Sequence, residues 1–286
     1  MIELGENRYG KSAIRVVKLA KRAERHIVRD LTVAVALEGA FEAAHVEGDN
    51  APVIATDTMK NTVYAFAADR LDGSIEAFAR ALADHFAAAT QVERATITIR
   101  EHRWSPIPLD GEPAPDAFMR DPSVTRLAVV TVDGGGVTVE AGVEDLVVMK
   151  TAKSAFEGFP RDRFTTLPET SDRIMATQLS ARWRYGPPDL DHDAVYDAVR
   201  RTLLDVFARH ESASVQHSAF VIGRAMLEAH PEVEEVRLSL PNLHHWLVDL
   251  SPFGLDNAGE IFVATREPHG MIEASVRRGR SDPSPA

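Results

Sequence analysis

Large apolar residues occupy every second position of Leu31-Thr32-Val33-Ala34-Val35-Ala36-Leu37 and of Ala95-Thr96-Ile97-Thr98-Ile99. That is the period of a strand with one buried face. Between the two runs the period changes. Met59, Val63, Phe66 and Ala67 recur at helical spacing, and Ile75, Phe78, Ala79, Leu82 and Phe86 do so again, which predicts two consecutive amphipathic helices. With further strands at about 12–21 and 124–133, the first half reads strand, strand, helix, helix, strand, strand. The second half repeats that order. Its strands are predicted near 137–150, 173–185, 232–250 and 259–277, and its helices near 192–210 and 214–229. The stripes Val195, Val199, Leu203, Val206 and Val215, Ala219, Ile222, Met226 mark the two helices.

Paired strands separated by paired helices point to antiparallel sheets with helices packed on one face, an α+β class. The repeat suggests a tandem duplication, with modules at 1–135 and 136–278 and a disordered tail at 279–286. Asp133-Gly134-Gly135-Gly136 lies where the halves meet. Its glycines supply the positive φ of a tight turn, and it lacks the spacing of a dinucleotide-binding loop.

Composition narrows the chemistry. The 286 residues include 32 Lys+Arg against 43 Asp+Glu, a formal net charge of −11, so nucleic acid and anionic membrane surfaces are poor partners. No apolar run approaches the roughly 20 residues that span a bilayer, and Met1-Ile2-Glu3 opens no secretory signal. A cytoplasmic protein is expected. With Cys 0, disulfides, thiolate nucleophiles, iron–sulfur clusters and cysteine zinc sites are excluded.

Three segments stand out: Tyr9-Gly10-Lys11-Ser12, Ala55-Thr56-Asp57-Thr58-Met59-Lys60-Asn61-Thr62-Val63-Tyr64, and Ser239-Leu240-Pro241-Asn242-Leu243-His244-His245. With His102-Arg103-Trp104, Phe164-Thr165-Thr166-Leu167, Asp172-Arg173-Ile174 and Ser212-Ala213-Ser214-Val215-Gln216, they run nearly the length of the chain. In this order they resemble the urate oxidase family. The resemblance implies the tunnelling fold, with two ββααββ modules per chain closing into barrels in a homotetramer. It also implies oxidation of urate by O2 and water to 5-hydroxyisourate and hydrogen peroxide in purine degradation, without metal, flavin or other cofactor.

The residues themselves allow plainer roles. Alternation through Val236, Leu238, Leu240, Asn242, His244, Trp246, Val248 and Leu250 puts Asn242 and His244 on one side of an extended strand and His245 on the other. A metal shared by the adjacent histidines is disfavoured, and taken alone Asn242 reads as a turn residue after Pro241 and His244 as a satisfied, half-buried histidine. By resemblance Asn242 holds O2 or the attacking water, and His244 relays protons. Thr56 and Asp57 precede the Met59 stripe, where either could be an N-cap. The resemblance makes Thr56 and Lys11 a general-base relay and places Asp57 against the substrate. Burial would depress a lysine pKa as such a relay needs, whereas an isolated Lys11 reads as a solvated surface residue.

A guanidinium and a primary amide can together clamp a flat polar edge, and an aromatic ring can cover its face. By resemblance Arg173, Gln216 and Phe156 do this for urate. Val215, Leu167 and Ile54 add walls or backbone contacts. The same resemblance assigns Thr56 and Asp57 to the subunit facing the other site residues, Lys11 among those others. Some family members end in Ser-Lys-Leu, where this chain has Ser284-Pro285-Ala286; a bacterial-type enzyme is expected.

Overall fold

The computed structural model describes residues 2–187 and 189–279, with only the backbone described at 121–123. The expected tail disorder therefore lies, from residue 280 onward, outside the described residues. In chain order the elements are β1 (Tyr9–Ala20), β2 (Ile27–Gly39), α1 (Glu42–Val46), α2 (Thr56–Arg70), α3 (Ile75–Ala87), β3 (Val92–Leu109), β4 (Glu112–Asp133) and β5 (Gly136–Lys150). They continue as β6 (Met175–Tyr185), α4 (His192–Arg209), α5 (Val215–Ala229), β7 (Val233–Ser239), β8 (Asn242–Leu247), β9 (Phe262–Thr265) and β10 (Glu273–Arg277). This is a sheet-dominated α+β fold. None of the helices is long and apolar enough to cross a membrane among the described residues.

The chain divides into two compact units, Met1–Gly142 with Arg184–Tyr196, and Val143–Trp183 with Asp197–Ala286. In the first, strands follow the order β1-β2-β3-β4 and then the start of β5; β1/β2, β2/β3 and β3/β4 are antiparallel. The alternation read from sequence is what packs. Leu31, Val33, Val35 and Leu37 of β2 and Ala95, Ile97 and Ile99 of β3 are all buried, as are Met59, Val63 and Ala67 of α2 and the predicted α3 stripe. Phe66 stays outside that core, its ring 5.0 Å from His85 and 4.2 Å from the Arg70 guanidinium.

β3 and β4 run far beyond the predicted strands, to a hairpin that pairs Leu109 with Glu112 across Asp110 and Gly111, at φ 54 and 89. Two successive positive φ angles in an Asp-Gly pair are the type I′ turn that matches strand twist. The glycine turn after β4 behaves as expected: Gly136 has φ 116, and the Gly135 N–H donates to the Asp133 carboxylate at 2.8 Å.

In the second unit the order is β5-β6-β7-β10, with β8 paired to β6 and β9. The long strands predicted at 232–250 and 259–277 are each broken in two. Pro241 has no N–H for a ladder. Its carbonyl instead accepts from the Thr177 hydroxyl at 2.9 Å and the Gln178 N–H at 3.3 Å on β6. β7 therefore stays beside β10, while β8 starts afresh against β6 and β9. The α5 stripe is buried as predicted, but α4 buries Tyr196, Val199, Leu203 and Phe207, with Val195 and Val206 only partly covered.

Candidate functional site

The break at Pro241 helps open a cleft of about 430 Å³ in the second unit, lined by Phe156, Leu167, Arg173, Val215, Gln216, Asn242 and His244 among others. Every clamp residue singled out in the sequence is there. Their segments are held by backbone bonds. Phe156 exchanges N–H to carbonyl bonds with Thr170 at 2.8 and 3.1 Å, and the Arg173 N–H donates to the Ser154 carbonyl at 2.8 Å. Val215 and Gln216 open α5 behind Ser214, whose hydroxyl accepts the His217 N–H at 3.1 Å. That cap leaves first-turn N–H groups and the positive end of the helix dipole at the cleft. Asn242 and His244 share the cleft, but so does His245, which strand parity had put on the other side; the strand is short and begins only after Pro241.

Arg173 gives the cleft its electrostatic character. Its guanidinium lies 5.2 Å from the Phe156 ring centroid, and its buried Nε has no hydrogen-bond partner among the described residues. Burial pushes its pKa down from the usual arginine value, with no carboxylate opposing the shift. The cation is partly desolvated, with no acid paired to it among the described residues, which favours an anionic, hydrogen-bonding ligand. His244 stacks on Trp246 at 5.1 Å with ring planes 22° apart. Burial first, then the Arg173 charge, hold its imidazole below the ordinary histidine value, so it is neutral at pH 7 and able to accept a proton.

Lys11, Thr56 and Asp57 lie in the first unit. Neither Thr56 nor Asp57 caps α2: the N-cap is Ala55, with no side-chain cap bond. Asp57 is exposed and bonds Lys60 and, at 3.0 Å, the Asn61 amide. Its pKa is lowered mainly by Lys60, with a smaller pull from Lys11. Lys11 is half-buried on β1, not enclosed. The entry to α2 is tied to β1, because the Ile54 N–H donates to the Tyr9 hydroxyl at 2.8 Å. Gly10 crosses β2 so closely that a Cβ would lie 1.9 Å from the Val35 carbonyl oxygen. A bulge follows between Lys11 and Ile14, with Ala13 at φ 56. These contacts tie the start of β1 to the segment that leads into α2.

Some lining residues escaped the sequence reading. Trp246 carried the right parity but no polar chemistry. Thr170, Gly270 and Ile272 come from irregular segments that no periodicity marks. Gly270 is legible afterwards: a Cβ there would lie 3.3 Å from the Asn242 amide nitrogen and 3.2 Å from Ile272 Cδ1. Among the described residues no group of three His, Asp or Glu side chains could hold a metal ion.

Comparison with known proteins gives the geometry its context. The chain is 46% identical over 278 residues to the uricase of Arthrobacter globiformis, covering 97% of this chain and 90% of that one. It is 38% identical to the uricase of Dictyostelium discoideum, covering 98% and 99%. The crystal structure of the Arthrobacter uricase superposes with a TM-score of 0.92, covering 99% of this chain and 97% of that one. Urate oxidase from Bacillus sp. TB-90, at 22% identity and a TM-score of 0.83 over 95% and 100% of the two chains, shares the fold. The uricase family profile matches residues 7–131 and 139–273, and the chain accordingly belongs to the uricase family of urate oxidases.

Proposed function

We propose that this urate oxidase converts urate, O2 and water to 5-hydroxyisourate and hydrogen peroxide in purine degradation, without a cofactor, using a Lys11–Thr56 relay as general base. The observation that carries the reading is the half-buried, unpaired Arg173 guanidinium beside Phe156, in a cleft that also holds Gln216, Asn242 and a neutral His244. Arg173 and Gln216 clamp the polar edge of urate, each hydrogen bond to the charged group contributing about 1.5–3 kcal/mol, while Phe156 covers the ring. The α5 N-terminus adds N–H donors, with Val215 and Leu167 as walls.

Thr56 Oγ1 removes a proton from bound urate and passes its own to the Lys11 amine, since a hydroxyl is too weak a base unaided. The electron-rich dianion then gives two electrons to O2, and the peroxide formed leaves as hydrogen peroxide with the proton stored on Lys11 and the one that His244 takes from the attacking water. Asn242 orients O2 and later the water that adds at C5, and His244 takes the proton from that water. Asp57 meets the substrate through its backbone.

The relay and the cleft come from facing subunits of a homotetramer built from tandem tunnelling-fold modules, residues 1–135 and 136–278. We place Lys11 with Thr56 and Asp57 on the same side of that interface. The Tyr9–Ile54 bond and the pull of Lys11 on Asp57 support that grouping. The edge strand β1, with Val17 and Leu19 exposed, is the kind of surface that assembly covers.

The test is chelator-treated protein assayed for loss of urate absorbance, O2 uptake and peroxide release, with light scattering for the tetramer. Stoichiometric urate, O2 and peroxide are expected. Turnover that needs added metal refutes the cofactor-free mechanism, and a fully active monomer refutes the shared site.

A further inference from the structure

The three clamp side chains come from separate segments, and one junction beneath the cleft ties them together. Ser154 and Ser212 form a parallel bridge. The Ala155 N–H donates to the Ser212 carbonyl at 2.7 Å, the Ser212 N–H to the Lys153 carbonyl at 2.9 Å, and the Arg173 N–H to the Ser154 carbonyl at 2.8 Å. Phe156 lies two residues after Ser154, Arg173 is bonded to Ser154, and Gln216 lies in the first turn of α5, which Ser212 precedes. Moving Ser212 therefore moves all three.

The Ser212 side chain is held from below by groups the mechanism does not use. Its hydroxyl lies 2.7 Å from that of Ser218, which lies 2.8 Å from His210 Nε2, while His210 Nδ1 lies 2.8 Å from the Val206 carbonyl. A carbonyl can only accept, so Nδ1 carries the proton and the neutral ring offers Nε2 as an acceptor. Ser218 can donate to Nε2 or to the Ser214 carbonyl at 3.1 Å, and the Ser212 hydroxyl can donate to Ser218 Oγ, to the Ser214 carbonyl at 2.9 Å or to Met175 Sδ at 3.6 Å. Each hydroxyl thus has an acceptor within the junction. His210 is fixed in turn by the buried Lys150 ammonium, which donates to its carbonyl at the end of α4. Ser212 is 3% exposed and Ser218 0%. Such a buried polar chain is costly unless every member is satisfied, and when satisfied it fixes one arrangement.

We infer that Ser212, Ser218 and His210 are positioning residues for urate binding: they hold the Ser154–Ser212 bridge, and through it set the spacing of Phe156, Arg173 and Gln216. The inference rests on the proposed clamp. Its consequence is selective. Loosening the chain weakens binding of the flat ring and leaves the Lys11–Thr56 chemistry intact.

The experiment measures kcat and KM for urate, and Kd for xanthine, which shares urate's pyrimidine-dione edge, in Ser218→Ala, His210→Leu, their double mutant and Ser218→Thr. The first two are expected to raise KM and Kd about fivefold to tenfold, the size of one or two lost hydrogen bonds, with kcat within about twofold of the parent. The double mutant is expected to match the worse single, because the two act through one chain. Ser218→Thr keeps the hydroxyl and should restore near-parental KM. If Ser218→Ala yields no folded protein, the contrast between His210→Leu and Ser218→Thr decides. Unchanged KM and Kd, equal losses in kcat, or multiplying effects overturn the inference. Gln216→Ala separates the two levels: if it leaves KM unchanged the clamp itself fails, whereas if it raises KM while Ser218→Ala does not, only the positioning chain fails.

Discussion

Arg126 in the first unit and Arg173 in the second are the same residue put to opposite uses. Each has a buried Nε without a hydrogen-bond partner; the difference lies in the terminal nitrogens. Those of Arg126 meet both carboxylate oxygens of Glu76 at 3.0 and 2.7 Å and Asp193 at 2.5 Å, and its guanidinium lies 4.3 Å from the Tyr196 ring. Burial pushes its pKa down, but Glu76, Asp193 and Glu101 more than offset that and the net shift is upward. Arg173 has the burial and none of the acids, and its shift is downward. The first guanidinium is neutralised within its unit and holds it together. The second keeps its attraction for a ligand. A buried arginine points to a binding site when its terminal nitrogens lack acids, not because it is buried.

The strongest test of that contrast is Glu76→Ala, which leaves the Arg126 charge without its nearest partner. It should destabilise the protein by about 3–5 kcal/mol in urea unfolding, with KM for urate unchanged in the folded fraction; a selective loss of binding would erase the distinction. Next, Lys11→Met and Thr56→Ala should each lower kcat by about 10²-fold, and the double mutant should be little worse than either. Multiplying losses would argue against a shared relay. Arg173→Met should raise KM by about thirtyfold, the worth of one or two charge-assisted bonds, while its melting temperature stays level or rises. A marked fall would mean that Arg173 is structural, like Arg126.

The smallest effect expected is a pH dependence. Burial lowers the pKa of His102, His192, His210 and His244 in the folded state, so below the ordinary value of about 6.5 the unfolded chain binds more protons than the folded one. Stability should be full above that pH and fall as acid carries it toward the folded values. Melting curves at descending pH check the sign. For catalysis, a neutral His244 should keep kcat level to below the ordinary histidine range, and His244→Asn should change that acid limb.

Much of the architecture was legible in short stretches. Leu31 to Leu37, Ala95 to Ile99 and the α3 and α5 stripes carry periods that only one buried face satisfies, and each was buried as its period demanded. The cleft residues were legible through the order of their motifs. Other features were not local. His192, Tyr196 and Phe207 joined the buried face of α4 because packing chose the larger rings over the valines beside them. Ala55, which has no capping side chain, became the N-cap of α2, since the Tyr9 hydroxyl already holds the turn before it. The reach of β3 past Ile99 was hidden where Pro106 and Pro108 interrupt the alternation.

The sequence by itself thus determined the α+β class, the faces of the main strands and helices and, through family resemblance, a set of side chains that gather at one cleft, because those follow from period and motif order. Only the tertiary structure decided that Pro241 ends one strand and begins another, that Arg173 goes without an acid while Arg126 has several, and that the Ser154–Ser212 bridge rests on Ser218 and His210. Those depend on which distant segments meet, and no local pattern encodes the partner.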